Sequence, residues 1–374
     1  MPDRNEIPFV LARGGTSRCC IVEARDLPES QAERDAILLA LIGGPDPKQL
    51  DGLGGGTQAT SKALIVRPAD QPDVDIEYTF AQIVVGQPRV DYGGNCGNCL
   101  SAVAAYAVDA GYVDPVGPSA TVRIWNTNTD QAIIAEVPVD GDRAAVHGDL
   151  VIDGVPGSGS PIKLWFVDPG GAVTGSLLPT GNASDMLELD GVAGLSAVEV
   201  TVIDAGNLVV FVRAADVGAT GDEEAAQIDA DKDLLARLEA IRGTVAVRLG
   251  FVDTWEAAAT ASNSLPKVAF LGSGAPVPAG APGGRHVTAR IMAGGKAHGS
   301  YAITGGIATA IAVQHPGTIF GSSAGPEPVL TIHHPAGSLQ FEVELGDGDP
   351  EAPVSKVAVL RTSRRIAQGS FVLG

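Results

Sequence analysis

The sequence predicts an α+β protein built from two similar domains, and three observations lead there. At 374 residues the chain exceeds what one ordinary core supports, so two domains are expected. Its 48 glycines and 25 prolines are spread along the whole length, the mark of many short strands joined by tight turns. Each half also carries one helix of small, apolar residues that opens near glycines and follows a strand. In the first half this is Asp91–Gly111, DYGGNCGNCLSAVAAYAVDAG; in the second it is Tyr301–Gln314, YAITGGIATAIAVQ. A design repeated in this way implies two related units with their helix N-termini facing each other, each able to hold an anion.

Taken in order, Ile7–Arg13 reads as a strand that ends in the turn Gly14-Gly15-Thr16-Ser17, and Cys19–Val22 returns beside it as a hairpin. Ser30-Gln31-Ala32-Glu33 has capping-box spacing. The helix it starts carries Ile37, Leu38 and Leu41 on one face and stops at Gly43-Gly44. Asp51–Lys62, DGLGGGTQATSK, is a glycine-rich loop that becomes the strand Ala63–Val66. A lysine at such a junction is ordinarily solvated, and the glycine-rich approach raises its standing as a site residue. It is no phosphate-binding P-loop, which needs Gly-Lys-Ser/Thr opening a helix.

Val74–Val85 reads as a long strand leading to the Asn95 loop. Strands follow at Val122–Thr127, Ala132–Val137, Lys163–Val167, Val198–Asp204 and Leu208–Val212. A second amphipathic helix, Asp231–Ile241, places Leu234, Leu235, Leu238 and Ile241 on one face and is expected to end at Gly243. Val268–Leu271, Val287–Ile291, Leu330–His333, Leu339–Leu345 and Val357–Arg361 complete the strands.

Composition excludes several function classes. Hydrophobic content of 45% with 18% charged residues is globular. A net charge of −19, from 44 acidic and 25 basic residues, argues against nucleic acid and anionic membrane as partners. An anionic substrate would be repelled by that overall field, so its attraction must come from backbone N–H groups and a few lysines or arginines. No segment is long and apolar enough for a membrane span, and the first fifteen or so residues lack an apolar signal core. Four cysteines make no disulfide framework, so a cytoplasmic setting is expected.

Cys96 and Cys99 form C-x-x-C, the spacing of redox and zinc motifs. A zinc site needs two more ligands, and the adjacent strand residues Cys19 and Cys20 point to opposite faces. His298, His315, His333 and His334 form no metal spacing on a helix. No metal and no cofactor are expected. Cys96, at a helix N-terminus, is the thiol such a position would activate; an inert core cysteine is the competing reading.

The chain resembles the PrpF family, within the diaminopimelate-epimerase-like fold. The residues that carry the resemblance are Arg13-Gly14-Gly15-Thr16-Ser17, Asp51-Gly52-Leu53-Gly54-Gly55, Thr60-Ser61-Lys62 and Asn95-Cys96-Gly97-Asn98. They continue with Leu178-Pro179-Thr180-Gly181-Asn182, Ala297-His298 to Tyr301, Thr304-Gly305, Pro316-Gly317-Thr318 and Arg361-Thr362-Ser363-Arg364. Each is weak alone, and their order and spacing over nearly the whole length are specific. The resemblance implies two α+β domains, each a β-barrel-like sheet wrapped around a central helix and related by a pseudo-twofold axis. The active site then lies in the interdomain cleft. The expected domains are 1–185, with its central helix over about 98–110, and 186–354, with its helix over about 305–314. The C-terminal strand, about 355–374, is available to the first.

The resemblance also implies cofactor-independent isomerisation, by a 1,3-proton shift or a cis/trans change through a dienolate, of a small unsaturated di- or tricarboxylate of the methylaconitate, aconitate, methylitaconate or 4-oxalomesaconate type. A non-catalytic accessory role beside an aconitase-like dehydratase is the alternative. Moving a C=C beside a carboxylate requires an acid, a base and donors for the charge of a dienolate. In the epimerase relatives two cysteines face each other. Cys96 aligns with the first and Ala302 with the second, so a two-thiol mechanism is unavailable. Lys62 and Cys96 are therefore the expected proton-transfer pair, with Ser17 as a close contact or relay. Thr16, Ser61, Asn95, Gly97, Asn98, Thr304 and Gly305 are expected to bind carboxylates, with Lys267 as a cationic contact from the second half. Oligomeric state is not readable, and a homo-oligomer stays open.

Overall fold

The computed structural model describes residues 6–93, 95–189, 192, 194–262, 264–272, 284–321, 327–346 and 354–374. The chain divides into two compact units. The first comprises residues 1–165 and 360–374, and the second residues 166–359.

In the first unit a hairpin of β1 (Glu6–Gly14) and β2 (Ser17–Glu23) pairs Gly14 with Ser17. The last strand, Ser363–Val372, lies antiparallel on the outer edge of β1. β3 (Lys62–Pro68) runs parallel to β2, with Cys19 opposite Lys62. β4 (Ile76–Ile83) is antiparallel to β3, with Lys62 opposite Gln82, and the short β5 (Val90–Asp91) extends it. β6 (Ser119–Asn126) is parallel to β4, and β7 (Gln131–Asp140) antiparallel to β6.

Side-chain alternation gives this sheet two different faces. Cys20 and Val22, Ala63 and Ile65, and Ala81 and Ile83 pack in one cluster with Leu38, Leu41 and Ile42 of α1 (Gln31–Ile42). The intervening residues of β3 and β4, namely Lys62, Leu64, Tyr78, Phe80 and Gln82, share the other face. α2 (Gly97–Asp109) packs against β1, β2, β6, β7 and the Ser363–Val372 strand, and nine of its residues are buried. Its small side chains let a helix sit inside a curved sheet.

The second unit repeats the pairing scheme. Ala197–Ala205 and Asn207–Arg213 are antiparallel; Lys267–Leu271 is parallel to the latter; Arg285–Ala293 is antiparallel to that strand. Val329–His334 is then parallel, and Gly337–Leu345 antiparallel. Its central helix, Ile303–Gln314, is buried along its whole length and packs on Ala197–Ala205, Asn207–Arg213 and Gly337–Leu345. An outer helix, Lys232–Arg248, covers the opposite face through Leu234, Leu238, Ile241 and Val245. The equivalence puts Lys62 and Lys267 at the same place, the first residue of the parallel strand. It likewise makes Cys96 and Ala302 the N-cap residues of the two central helices.

Two local expectations are corrected. Ser30 is the N-cap of α1 but its side chain makes no capping bond; Ser30 and Glu33 are exposed, so water satisfies the helix end. Gly43 does end the helix, in the left-handed conformation at φ 91°. Gly243 does not end the second amphipathic helix, which runs on to Arg248. A Cβ there would collide with the Trp255 carbonyl, so this glycine serves close packing instead of a stop. The N-terminus of that helix is capped by Asp231, whose carboxylate accepts from the N–H groups of Asp233 and Leu234 at 3.1 and 2.9 Å. No described helix is long and apolar enough to cross a membrane.

In the second central helix, a Cβ on Gly306 would fall within the Phe341 ring. Gly306→Ala is therefore expected to lower stability by about 1–3 kcal/mol through overpacking, more than the roughly 1 kcal/mol that alanine adds to a helix. Thermal melts of the two proteins measure it, and a melting temperature at or above the wild type's would contradict this packing.

Candidate active site

The site residues of the first unit converge where the β1–β2 hairpin meets the first turn of α2. Gly15, at φ 50°, has no room for a side chain: a Cβ would overlap the Asn98 side chain. Asn98 fills that space. Its Nδ2 donates to Thr16 Oγ1 at 3.1 Å, and its Oδ1 accepts from Arg361 Nε at 3.0 Å and from the Thr16 N–H at 3.4 Å. Arg13 Nη1 donates to the carbonyls of Gly15 and Thr362 and to the Thr362 hydroxyl, each at 3.0 Å. Ser101 ties the helix to the same segment, donating to Asn98 O at 2.9 Å and Thr362 O at 3.3 Å.

This junction sets Ser17 beside Cys96. The Cys96 thiol donates to Ser17 Oγ at 3.6 Å, and both residues are buried. Lys62 is buried too, at 7% exposure, which overturns the expectation of a solvated junction lysine. Its Nζ donates to Gln82 Oε1 at 2.7 Å and sits 4.9 Å from the centre of the Phe80 ring. Tyr78, from the same face of β4, donates its hydroxyl to Asn95 Oδ1 at 2.8 Å.

The electrostatics differ from the expectation of a helix-activated thiolate. A hydrogen bond with Cys99 and burial push the Cys96 thiol well above its ordinary value, and the nearby Lys62 charge pulls it down only in part. Burial likewise raises Cys99 and takes Cys20 to about 12. A helix N-terminus contributes roughly 0.3–1 kcal/mol to an anion, whereas full burial moves a pKa by as much as 3–5 units at about 1.4 kcal/mol each. The Cys99 hydrogen bond and desolvation together win, and Cys96 rests as a thiol, able to give a proton.

Two cations in this cluster have no acidic partner among the described residues. Lys62 has Gln82 and Phe80. Arg361, 6% exposed, has Asn98 and its neighbour's carbonyl, Leu360 O, and burial lowers its pKa to about 10. α2 adds an N-terminus with no side-chain cap and no acidic residue in its first turn.

The remaining expected residues are placed as follows. Gly97 is the first residue of α2 and is buried. Ser61 is fully buried, its hydroxyl donating to Gln49 Oε1 at 2.9 Å and Thr57 O at 2.7 Å, so it braces the glycine-rich loop. Thr304 and Gly305 lie in the first turn of the second unit's central helix, where Asn207 Nδ2 donates to Thr304 Oγ1 at 3.5 Å. Lys267 lines a cavity of about 380 Å³ in the second unit with Glu239, Arg242, Pro266 and Met292. Among the described residues no cluster of three or more His, Cys, Asp or Glu could hold a metal. Sequence reasoning missed Gln82, Tyr78 and Arg361 as site residues. Arg361 lay inside a motif already singled out, and the side-chain period of β4 was the signal for the other two.

With this geometry in view, the comparisons with known proteins are direct. A hydroxyproline epimerase from Agrobacterium vitis aligns at TM-score 0.56 and 12% identity, covering 100% of this chain and 94% of its own, which shows the shared fold alone. The fold is thus of the diaminopimelate-epimerase-like class. The family model described as PrpF protein matches residues 4–373. The chain belongs to the PrpF family. Its relatives include a 3-methylitaconate isomerase of Eubacterium barkeri, 38% identical over 99% of this chain and 97% of that protein. A 4-oxalomesaconate tautomerase of Pseudomonas putida is 36% identical with the same coverage. The crystal structure of a methylitaconate-delta-isomerase aligns at TM-score 0.84 and 37% identity, covering 98% of this chain and 96% of that one.

The raised thiols carry a pH prediction. They favour the fold while the unfolded thiols stay protonated, below pH about 8.5. That contribution is lost as pH rises toward the folded values. The free energy of unfolding should therefore fall steadily above pH about 8.5, and iodoacetamide at pH 7.5 should modify Cys96 far more slowly in the folded chain than in urea. Equal rates in the two would contradict a buried thiol.

Proposed function

We propose that this isomerase moves a C=C bond of a small unsaturated di- or tricarboxylate by a 1,3-proton shift, with Lys62 and Cys96 as the proton-transfer pair. The observation that carries the reading is a buried cluster with two cations that no described carboxylate neutralises, in a chain whose net charge is −19. A buried charge without a counter-ion costs several kcal/mol, and a substrate carboxylate would offset that cost. The uncapped N-terminus of α2 adds backbone donors.

In the proposed cycle Lys62 first gives a proton to water and then takes the proton from the allylic carbon, and the electron pair spreads into a dienolate toward the carboxylate. Cys96 Sγ delivers its proton to the far carbon of the allyl system. Lys62, now an ammonium, returns a proton to the thiolate, directly or through Ser17 Oγ, and both groups are restored. Donors from Asn95, Gly97, Asn98 and Thr16 hold the carboxylates. The relatives' names support an isomerase acting on methylitaconate- or oxalomesaconate-like acids, and no observation favours the accessory role.

The test is incubation in deuterated water with trans-aconitate, 2-methylaconitate, methylitaconate and 4-oxalomesaconate in turn. One acid should exchange and isomerise, and Lys62→Ala should lose about 10²–10⁴-fold in turnover while folding normally. Uptake into none of the acids would favour the accessory role, and full turnover in Lys62→Ala would sink the mechanism.

A further inference from the structure

Gln82 touches Lys62 directly and has no role assigned so far. The antiparallel register places it directly opposite Lys62, and Phe80, two residues earlier, falls on the same face. The Gln82 amide is oriented by three backbone carbonyls. Its Nε2 lies within hydrogen-bond distance of Ser61 O at 2.8 Å, Gln58 O at 3.2 Å and Ile83 O at 3.3 Å, which share its two hydrogens. Only the NH₂ end of the amide suits three acceptors, so the oxygen is forced toward Lys62 Nζ, 2.7 Å away. One side chain thereby connects the glycine-rich loop, through Gln58 and Ser61, to the lysine that follows it.

The second unit offers an internal comparison. Lys267 occupies the place of Lys62, and Ala269 pairs with Ile291. Continuing that register by two residues would set Ala293 at the place that Gln82 holds in the first unit.

We infer that Gln82 is the positioning residue of Lys62, fixing the amine between its own carbonyl oxygen and the Phe80 ring at the place from which it exchanges a proton with substrate. This rests on the function proposed above. A lysine has four side-chain torsions, and a free one would spread Nζ over many positions. Holding it at one is the kind of alignment on which proton transfer depends.

The experiment compares Gln82→Met, close in size but without hydrogen bonds, and Gln82→Glu, which keeps an oxygen within reach of Nζ. Two readouts are taken: steady-state kinetics with the acid identified by deuterium uptake, and acetylation of Lys62 by a water-soluble N-hydroxysuccinimide ester without substrate. Peptide mass spectrometry follows the labelling, with the exposed Lys48 as internal standard. Gln82→Met should lower kcat at least tenfold with KM changed less than twofold, and should raise Lys62 labelling several-fold relative to Lys48. Gln82→Glu should keep labelling near the wild-type rate. Should Gln82→Met fail to fold, fast labelling of Lys62 in a folded Gln82→Glu overturns the inference, and slow labelling there sustains it. Unchanged labelling in a folded Gln82→Met overturns it, as does faster labelling with unchanged kcat. If the wild type isomerises none of the acids, the function proposed above fails, and the labelling still decides whether Gln82 anchors Lys62.

Discussion

The first unit depends on one side chain, Asn98, filling the space that Gly15 leaves. Asn98 is fixed from the far end of the sequence by Arg361, 263 residues away, and from the hairpin by Thr16. Through it the β1–β2 turn, the first turn of α2 and the chain at Arg361, just before the last strand, become one junction. Ser17 and Cys96 meet because that junction holds. A buried arginine with an amide and a carbonyl as its hydrogen-bonding partners is a poor way to gain stability. Its retention makes sense if a cation beside the helix N-terminus serves a bound carboxylate.

The two units show how a repeated topology acquires a one-sided chemistry. The same order of antiparallel and parallel strands recurs, with a small-residue helix at the centre of each. One difference falls at the N-cap, Cys96 against Ala302. With one thiol, the proposed proton shift needs a second group of different chemistry. Lys62 is buried on the same face as Tyr78 and Phe80, where its Nζ meets an amide oxygen and a ring.

Much of this was legible in the sequence because it is local. The hairpin turn, the alternating strands and both central helices follow from periodicity and glycine placement, and the loop-to-strand position of Lys62 was plain. Its burial was not, because that comes from Phe80 and Gln82 on a strand some twenty residues later. The thiol of Cys96 was misjudged for the same reason. The helix N-terminus can be read from neighbouring residues, but the Cys99 hydrogen bond and the burial that outweigh it form only when α2 packs into its sheet. Ser61 looked like a ligand contact, and its fully buried hydroxyl instead holds Gln49 and the Thr57 carbonyl. Gly243 looked like a helix stop, and the backbone at Trp255 explains it.

The central claim is that Arg361 and Asn98 hold the hairpin against α2 for the sake of the site. Arg361→Met measures this most directly, since it removes a buried cation while keeping most of the side chain's volume. Loss of the hydrogen bond to Asn98 costs about 1.5–3 kcal/mol, and release from burying the charge offsets much of it. The variant should melt within a few degrees of wild type and show an isomerase kcat/KM at least tenfold lower. A variant with wild-type kcat/KM would contradict that claim.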